Sequence, residues 1–306
     1  MILFSKVKAW IKSKILPPPP HYMSIDQRIE MTISCRDADT IPKVSNAGEI
    51  IDWQGEKVQI MHEGTKVIAG GYYGDLTIPI IKKLKGHHEP QEELIFYHVL
   101  KYVKPGSLMI ELGSFWAYYT NWFLGATVGG RAICIEPDEN NLECGRRNLR
   151  LNDREANFIH AAIGKSHQNK IHFKRESDGN KQSIPCLDFN NILEAAQGAY
   201  IELIHIDIQG AELPFIESMN NEIIANKIRF IFISTHHHSI SGSYHTHRDC
   251  LNKLIELGAI ILTEHTIGES FSGDGLIVAS FNEKDKEIIL PEITKNKNEL
   301  SYFYGN

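Results

Sequence analysis

Short apolar runs alternate along the chain with longer stretches in which apolar residues recur at helical spacing. Ser107–Leu112, Arg131–Glu136, Asn157–Ile163, Leu203–Ile208 and Ile228–Ser234 have the length and composition of strands. Between them, Tyr118–Leu124, Asp138–Leu151, a stretch through Phe215 and Ile216, and Arg248–Leu257 read as helices. Ala259–Thr263 and Leu276–Ser280 add two more strands, and Ser272-Gly273-Asp274-Gly275 reads as the turn that reverses the last one. Strands that are apolar throughout need cover on both faces, so the pattern predicts a mostly parallel α/β sheet between two layers of helices. One more helix is predicted from the stretch His88–Glu93. Pro90 suits a first helical position, and Glu89, Glu92 and Glu93 suit the positive end of a helix dipole.

Upstream of this alternating region the pattern is shorter and richer in turns. Lys57–Met61 and Thr65–Ile68 read as strands, with turns at Gly70-Gly71 and Gly74. The first 16 residues place Phe4, Val7, Trp10, Ile11 and Ile15 on one helical face with lysines on much of the rest. Such a helix suits packing on its own domain or a partner, and is also compatible with weak contact to an anionic membrane surface. Four prolines, Pro17 to Pro20, end it. The chain therefore divides into a basic segment and proline run (1–20), an extension with short strands (21–85), an α/β domain (86–285) and a tail (286–306).

Composition narrows the function. The 306 residues carry a net charge of −6, which offers no basic field for a nucleic-acid backbone. The five cysteines are scattered, odd in number and never spaced as CxxC, which fits a reducing, cytoplasmic setting and neither a disulfide framework nor a cysteine zinc site. No apolar run reaches the roughly 18 residues of a membrane span.

The chemistry is expected just beyond the carboxyl ends of the strands, where open α/β sheets bind ligands. The first strand runs into Glu111-Leu112-Gly113-Ser114, an acid followed by a glycine that lets a ligand approach the backbone. The second ends on Glu136, placed to accept from ribose hydroxyls. A carboxylate at the first position repels a diphosphate and attracts an amine, and the G-x-G-x-x-G phosphate fingerprint is missing. S-adenosylmethionine, with its ammonium and sulfonium and no phosphate, fits this pair of acids. The alternatives are a nicotinamide-dependent oxidoreductase, disfavoured by the missing fingerprint, and a non-catalytic nucleoside-binding module.

These motifs resemble the FkbM family of methyltransferases. Glu111-Leu112-Gly113 with Tyr118-Tyr119-Thr120 is similar to the family's first motif, with Ala117 in place of a second glycine. Glu136-Pro137-Asp138, Ala161-Ala162-Ile163-Gly164 and Cys186-Leu187-Asp188 resemble later ones. Ile206-Asp207-Ile208-Gln209-Gly210-Ala211-Glu212 is similar to the signature Asp-Val-Glu-Gly-Ala-Glu, with Gln209 replacing the first glutamate. Gly86 to Glu93 looks like an extension found in one branch of that family. The resemblance implies a class I methyltransferase fold with a seven-stranded sheet and a reversed last strand. It also implies S-adenosyl-L-methionine as cofactor, contacting Glu111, Gly113, Ser114, Glu136, Ala162 and Asp207. The implied reaction is methylation of an oxygen on a sugar or other small metabolite.

For catalysis, Asp207 is expected to face the transferred methyl, as base, acceptor anchor or cation ligand. In the family a Glu-x-His pattern often ends the next strand; Ser234 stands at the glutamate and His236 matches the histidine. His236 is therefore a second candidate base. A divalent metal on Asp207 and the histidines after Ser234 is compatible with the sequence but not favoured, because the spacing matches no specific motif. His205 is expected to be a hydrogen-bonded core histidine. His87 and His88 are expected in a solvated loop or a lid, and Glu212 in support of a helix dipole.

Overall fold

The computed structural model describes residues 23–220, 224 and 226–297. The basic helix expected over residues 1–16 lies outside these. The extension begins with α1 (Ile25–Ser34), whose Ser24 N-cap accepts the Gln27 amide while the Gln27 side chain accepts from Ser24 in return. An antiparallel sheet of β1 (Ile50–Trp53), β2 (Glu56–Ile60) and β3 (Lys66–Ile68) follows, and then α2 (Thr77–Lys83). The α/β domain opens with α3 (Pro90–Leu100), which has Pro90 at its start as predicted. It continues through β4 (Leu108–Leu112), α4 (Tyr118–Ala126), β5 (Arg131–Glu136), α5 (Glu139–Arg150), β6 (Asn157–His160), β7 (Ala162–Ile163), β8 (Gln168–Lys174) and β9 (Lys181–Leu187). The remainder is α6 (Phe189–Ala195), β10 (Ile201–Ile206), α7 (Glu212–Glu217), β11 (Ile228–Thr235), α8 (His238–Ser241), α9 (Thr246–Glu256), β12 (Ile260–His265) and β13 (Gly275–Ser280).

Seven strands form the central sheet in the order β12-β13-β11-β10-β4-β5-β6. All pairings are parallel except those of β13, which runs against both neighbours, so the reversed last strand is where the sequence put it. Side-chain alternation divides the core. Leu108, Ile110 and Leu112 of β4 join Ile204, Ile231, Phe215 and Leu254 on one face. Met109 joins Leu203, Phe230, Phe232, Phe96 and Trp122 on the other. This two-sided burial is why the strands read as continuous apolar runs.

One expectation changes. The strand expected over 157–163 is split: β6 closes the main sheet, while β7 leaves it and pairs with the β8–β9 hairpin, which the sequence pattern did not disclose. The extension packs on the α/β domain. Asn148 and Asn152, on and just after α5, bind the backbone of β3 through Ile68 N and Lys66 N, each at 2.8 Å. The tail is anchored too: Gln91 donates to Thr294 O, and Asp37 accepts the Thr294 amide.

Candidate active site

The chain runs outward from β4 to β5 and β6, then returns to β10 and β11 on the other side of β4. The crevice at this reversal, beyond the carboxyl ends of β4 and β10, is the expected ligand position of an open α/β sheet. Here the two strand ends touch. Asp207 N donates to Leu112 O at 2.9 Å, and Gly113 follows with φ +76°. A Cβ at Gly113 would lie 1.7 Å from Asp207 O, so no other residue fits without separating the strands. Ala117, where the family has its second glycine, also holds a left-handed φ of +55° at the start of α4. Phe115, Tyr73 and Gln209 share that conformation, which costs L-residues of order 1 kcal/mol each.

Two cavities meet at Asp207. The first, about 420 Å³, is lined by Gly113, Phe115, Glu136, Ala162, Asp207 and Ile208, with Phe173 from the unforeseen hairpin. Glu136 is buried and held by two backbone amides, Phe115 N at 3.0 Å and Asp138 N at 2.8 Å. Burial nevertheless pushes its carboxyl up to about 8. Glu111 and Ser114 lie beside this cavity without lining it. The Glu111 carboxylate turns back to accept the Thr120 amide at 3.1 Å, and burial raises it to about 7. Ser114 donates its amide to Ile135 O.

The second cavity, about 330 Å³, contains Asp207, His236, Asp274, His88 and Glu89, and is closed by Arg28, Tyr72 and Tyr73 from the extension. Tyr72, Tyr73, Glu176, Asp207 and Gln209 line both cavities. His236 is buried at the end of β11. Its Nδ1 meets Glu212 Oε1 at 2.8 Å, and its Nε2 stands 3.1 Å from Asp207 Oδ1 and 3.7 Å from Asp274 Oδ1. Neither Nε2 nor Asp207 Oδ1 is aligned in a hydrogen bond, and both atoms are buried. Burial alone would lower His236, but Asp274, Glu212 and Asp207 raise it well above the ordinary histidine value.

Asp207 and His236 are thus brought together, as the sequence suggested. Two readings are corrected. Glu212 is fully buried and orients His236, because α7 is short and its first residue points at the neighbouring strand end. His87 and His88 are buried rather than solvated, since the loop before α3 is roofed by the extension. His88 bridges Glu89 Oε2 at 3.2 Å and Glu93 Oε1 at 2.7 Å. These carboxylates overcome burial and raise His88 to about 10. His205 is a core histidine against Glu92 at 2.5 Å, as read. Ser234 donates to the other oxygen of Glu92 at 3.0 Å and takes no place in the cavity wall. The motif Gly86 to Glu93 was the available signal for His88 and Glu89. Tyr72, Tyr73 and Glu176 had no signal in the sequence.

A seven-stranded sheet with one reversed strand, opening at its switch point onto a crevice with a strand-end glutamate, is the class I methyltransferase fold. The FkbM methyltransferase domain model matches residues 97–261, more than half of the chain, and the chain belongs to that family, with S-adenosyl-L-methionine as methyl donor. No curated protein matches the sequence. Among solved structures, the chain is similar to a precorrin-6y C5,15-methyltransferase of Geobacter metallireducens at 12% identity, covering 61% of this chain and 87% of that one with a TM-score of 0.38. It is also similar to the fibrillarin of Aeropyrum pernix with bound S-adenosyl-L-methionine, at 13% identity, 57% and 67% coverage and a TM-score of 0.35. For the magnesium protoporphyrin IX methyltransferase of Synechocystis the values are 10%, 62%, 77% and 0.38. These likenesses say nothing of the acceptor. Among the described residues no helix is long and apolar enough to cross a membrane.

Proposed function

We propose that the chain methylates a hydroxyl group of a small polyhydroxyl acceptor, a carbohydrate or related metabolite, seated in the smaller cavity. The observation that carries this reading is the pair His236 Nε2 and Asp207 Oδ1, buried unpaired atoms 3.1 Å apart on two residues that line that cavity. When bound, S-adenosylmethionine supplies an electrophilic methyl on a sulfonium. Glu136 accepts from the ribose hydroxyls, Gly113 and Ala162 form the wall of the donor's cavity, and Glu111 and Ser114 shape the turn from behind it. Asp207 orients the acceptor hydroxyl, and neutral His236 takes its proton at Nε2 while Glu212 holds Nδ1. Positioning and proton removal together lower the barrier to an oxygen nucleophile.

The carboxylates and imidazoles of the smaller cavity suit a ligand with many hydroxyls, which pair as donors and acceptors. Its acidic wall, with Glu89, Asp207 and Asp274, repels nucleic-acid phosphates. The test is incubation with isotopically labelled donor and a panel of sugars and polyols, followed by mass spectrometry and NMR of the product. A product carrying one added methyl ether supports the reading. N-methylated product, or donor binding with no turnover on any hydroxyl acceptor, defeats it.

A further inference from the structure

The segment Gly86 to Glu93 supplies His88 and Glu89 to the smaller cavity, whereas His87 and Glu93 do not line it. With His62, which follows β2, they form a separate cluster. Each of the three offers one ligand atom, and these atoms lie within 4.8 Å of one another. All three residues are buried, with His87 and Glu93 fully enclosed. They come from three pieces of chain: the extension, the loop before α3, and α3 itself.

We propose that His62, His87 and Glu93 bind a structural divalent transition-metal ion of the zinc class, which staples the extension to the methyltransferase core. Two imidazoles and one carboxylate are a zinc-type donor set. A tetrahedral ion with bonds of about 2.0–2.1 Å separates its ligand atoms by about 3.4 Å, so small side-chain rotations close the present spacing. The surroundings are those of an oriented ligand set. Glu93 Oε1 accepts the amides of His88 and Glu89 at 2.8 and 3.0 Å, which fixes the carboxylate and turns Oε2 towards His87 Nδ1. The His62 ring stacks on His87 at 4.4 Å and abuts the edge of Trp122. Glu63 Oε2 and the Tyr118 hydroxyl, 3.1 and 3.2 Å from His62 Nδ1, stand in reach of a fourth position. His87 Nε2 is buried with no hydrogen-bond partner among the described residues.

The test uses the full chain, stripped with a chelator, then dialysed to equilibrium against zinc and analysed by mass spectrometry for metal. One zinc per chain is expected in the wild type. Uptake should be lost in His62→Ala and Glu93→Gln, and kept in His172→Ala, which alters an exposed histidine. No uptake by the wild type, or equal uptake by all variants, overturns the proposal. Should the first two variants fail to fold, His87→Cys loaded with cobalt decides it. A thiolate-to-cobalt charge-transfer band supports ligation by residue 87, and cobalt uptake without that band overturns it. Neither readout depends on methyl transfer.

Discussion

His236 Nδ1 lies 2.8 Å from Glu212 Oε1, so the imidazole that ends β11 is carried by the first residue of α7, the helix after β10. The two strand ends that flank the smaller cavity are thereby locked to each other. Glu212→Gln keeps the size of the side chain and removes its charge. The expected result is a fall in kcat of at least about tenfold, less than the roughly 10²–10⁴ share of the base itself, with donor affinity unchanged. Because the carboxylate favours imidazolium, the alkaline rise of the rate should also move to lower pH. Pre-steady-state rates across a pH series read both effects. An unshifted profile would leave Glu212 a packing residue only.

Glu136 is presented by two backbone amides to the wall of the larger cavity. Above pH 8, where the carboxyl is ionised, binding of S-adenosylhomocysteine to Glu136→Ala should weaken by about 1.5–3 kcal/mol, the range for a hydrogen bond to a charged group. Calorimetry on the folded variant checks this, and unchanged affinity would remove Glu136 from the donor's site.

Gly113→Ala should cost about 2–5 kcal/mol of stability, the sum of overpacking against Asp207 O and a left-handed φ for alanine. Ala117 already holds a similar φ of +55°. Denaturant unfolding of Gly113→Ala beside wild type measures the difference. A loss under about 1 kcal/mol would mean that β4 and β10 separate more easily than their contact implies.

The sheet was legible because every central strand is buried on both faces, and the site because Glu111, Gly113, Glu136 and Asp207 end or follow those strands. Pattern fails where a segment serves two sheets. Asn157 to Ile163 is one apolar run, and nothing in it marks the break at Ala161 where β7 turns to the hairpin. It fails again for residues whose role depends on tertiary neighbours. Glu212 looks like any acid in a first helical turn until β11 brings His236 against it. Tyr72 and Tyr73 follow a glycine turn, and only the packing of the extension makes them a cavity wall. The direction of the Glu111 carboxylate, which accepts the Thr120 amide at the start of α4, was likewise not legible.

Arg229 joins β11 to the segment after β13 and to β10, pairing with Asp285 at 2.8 Å and Glu202 at 2.6 Å while all three are nearly buried. Removing the cation leaves two enclosed carboxylates facing each other. Arg229→Ala should therefore destabilise the fold by about 3–5 kcal/mol, the usual cost of breaking a buried ion pair. A replacement of all three by apolar residues should recover much of the loss. Thermal and denaturant unfolding distinguish these outcomes, and a loss below about 1 kcal/mol would show the pair to be solvated.

The assignment of the proton acceptor rests on the same cavity and gives a signed pH dependence. His236 faces Asp207, Glu212 and Asp274, which favour its charged form. As a base it must be neutral, so the rate should rise with pH, and the limb should lie above the ordinary histidine value of about 6.5. Asp274→Asn removes one favourable charge and should shift that limb to lower pH. Asp207→Asn and His236→Ala should each reduce methylation by roughly 10²–10⁴. Affinity for S-adenosylhomocysteine should change far less, since that product has no methyl to deliver and does not engage the acceptor. Stopped-flow or quenched rates at saturating donor, from pH 5 to 10, separate the variants. In His236→Ala the limb itself should vanish. If that variant keeps both the limb and wild-type turnover, the proton leaves through Asp207 or solvent, and His236 only closes the cavity.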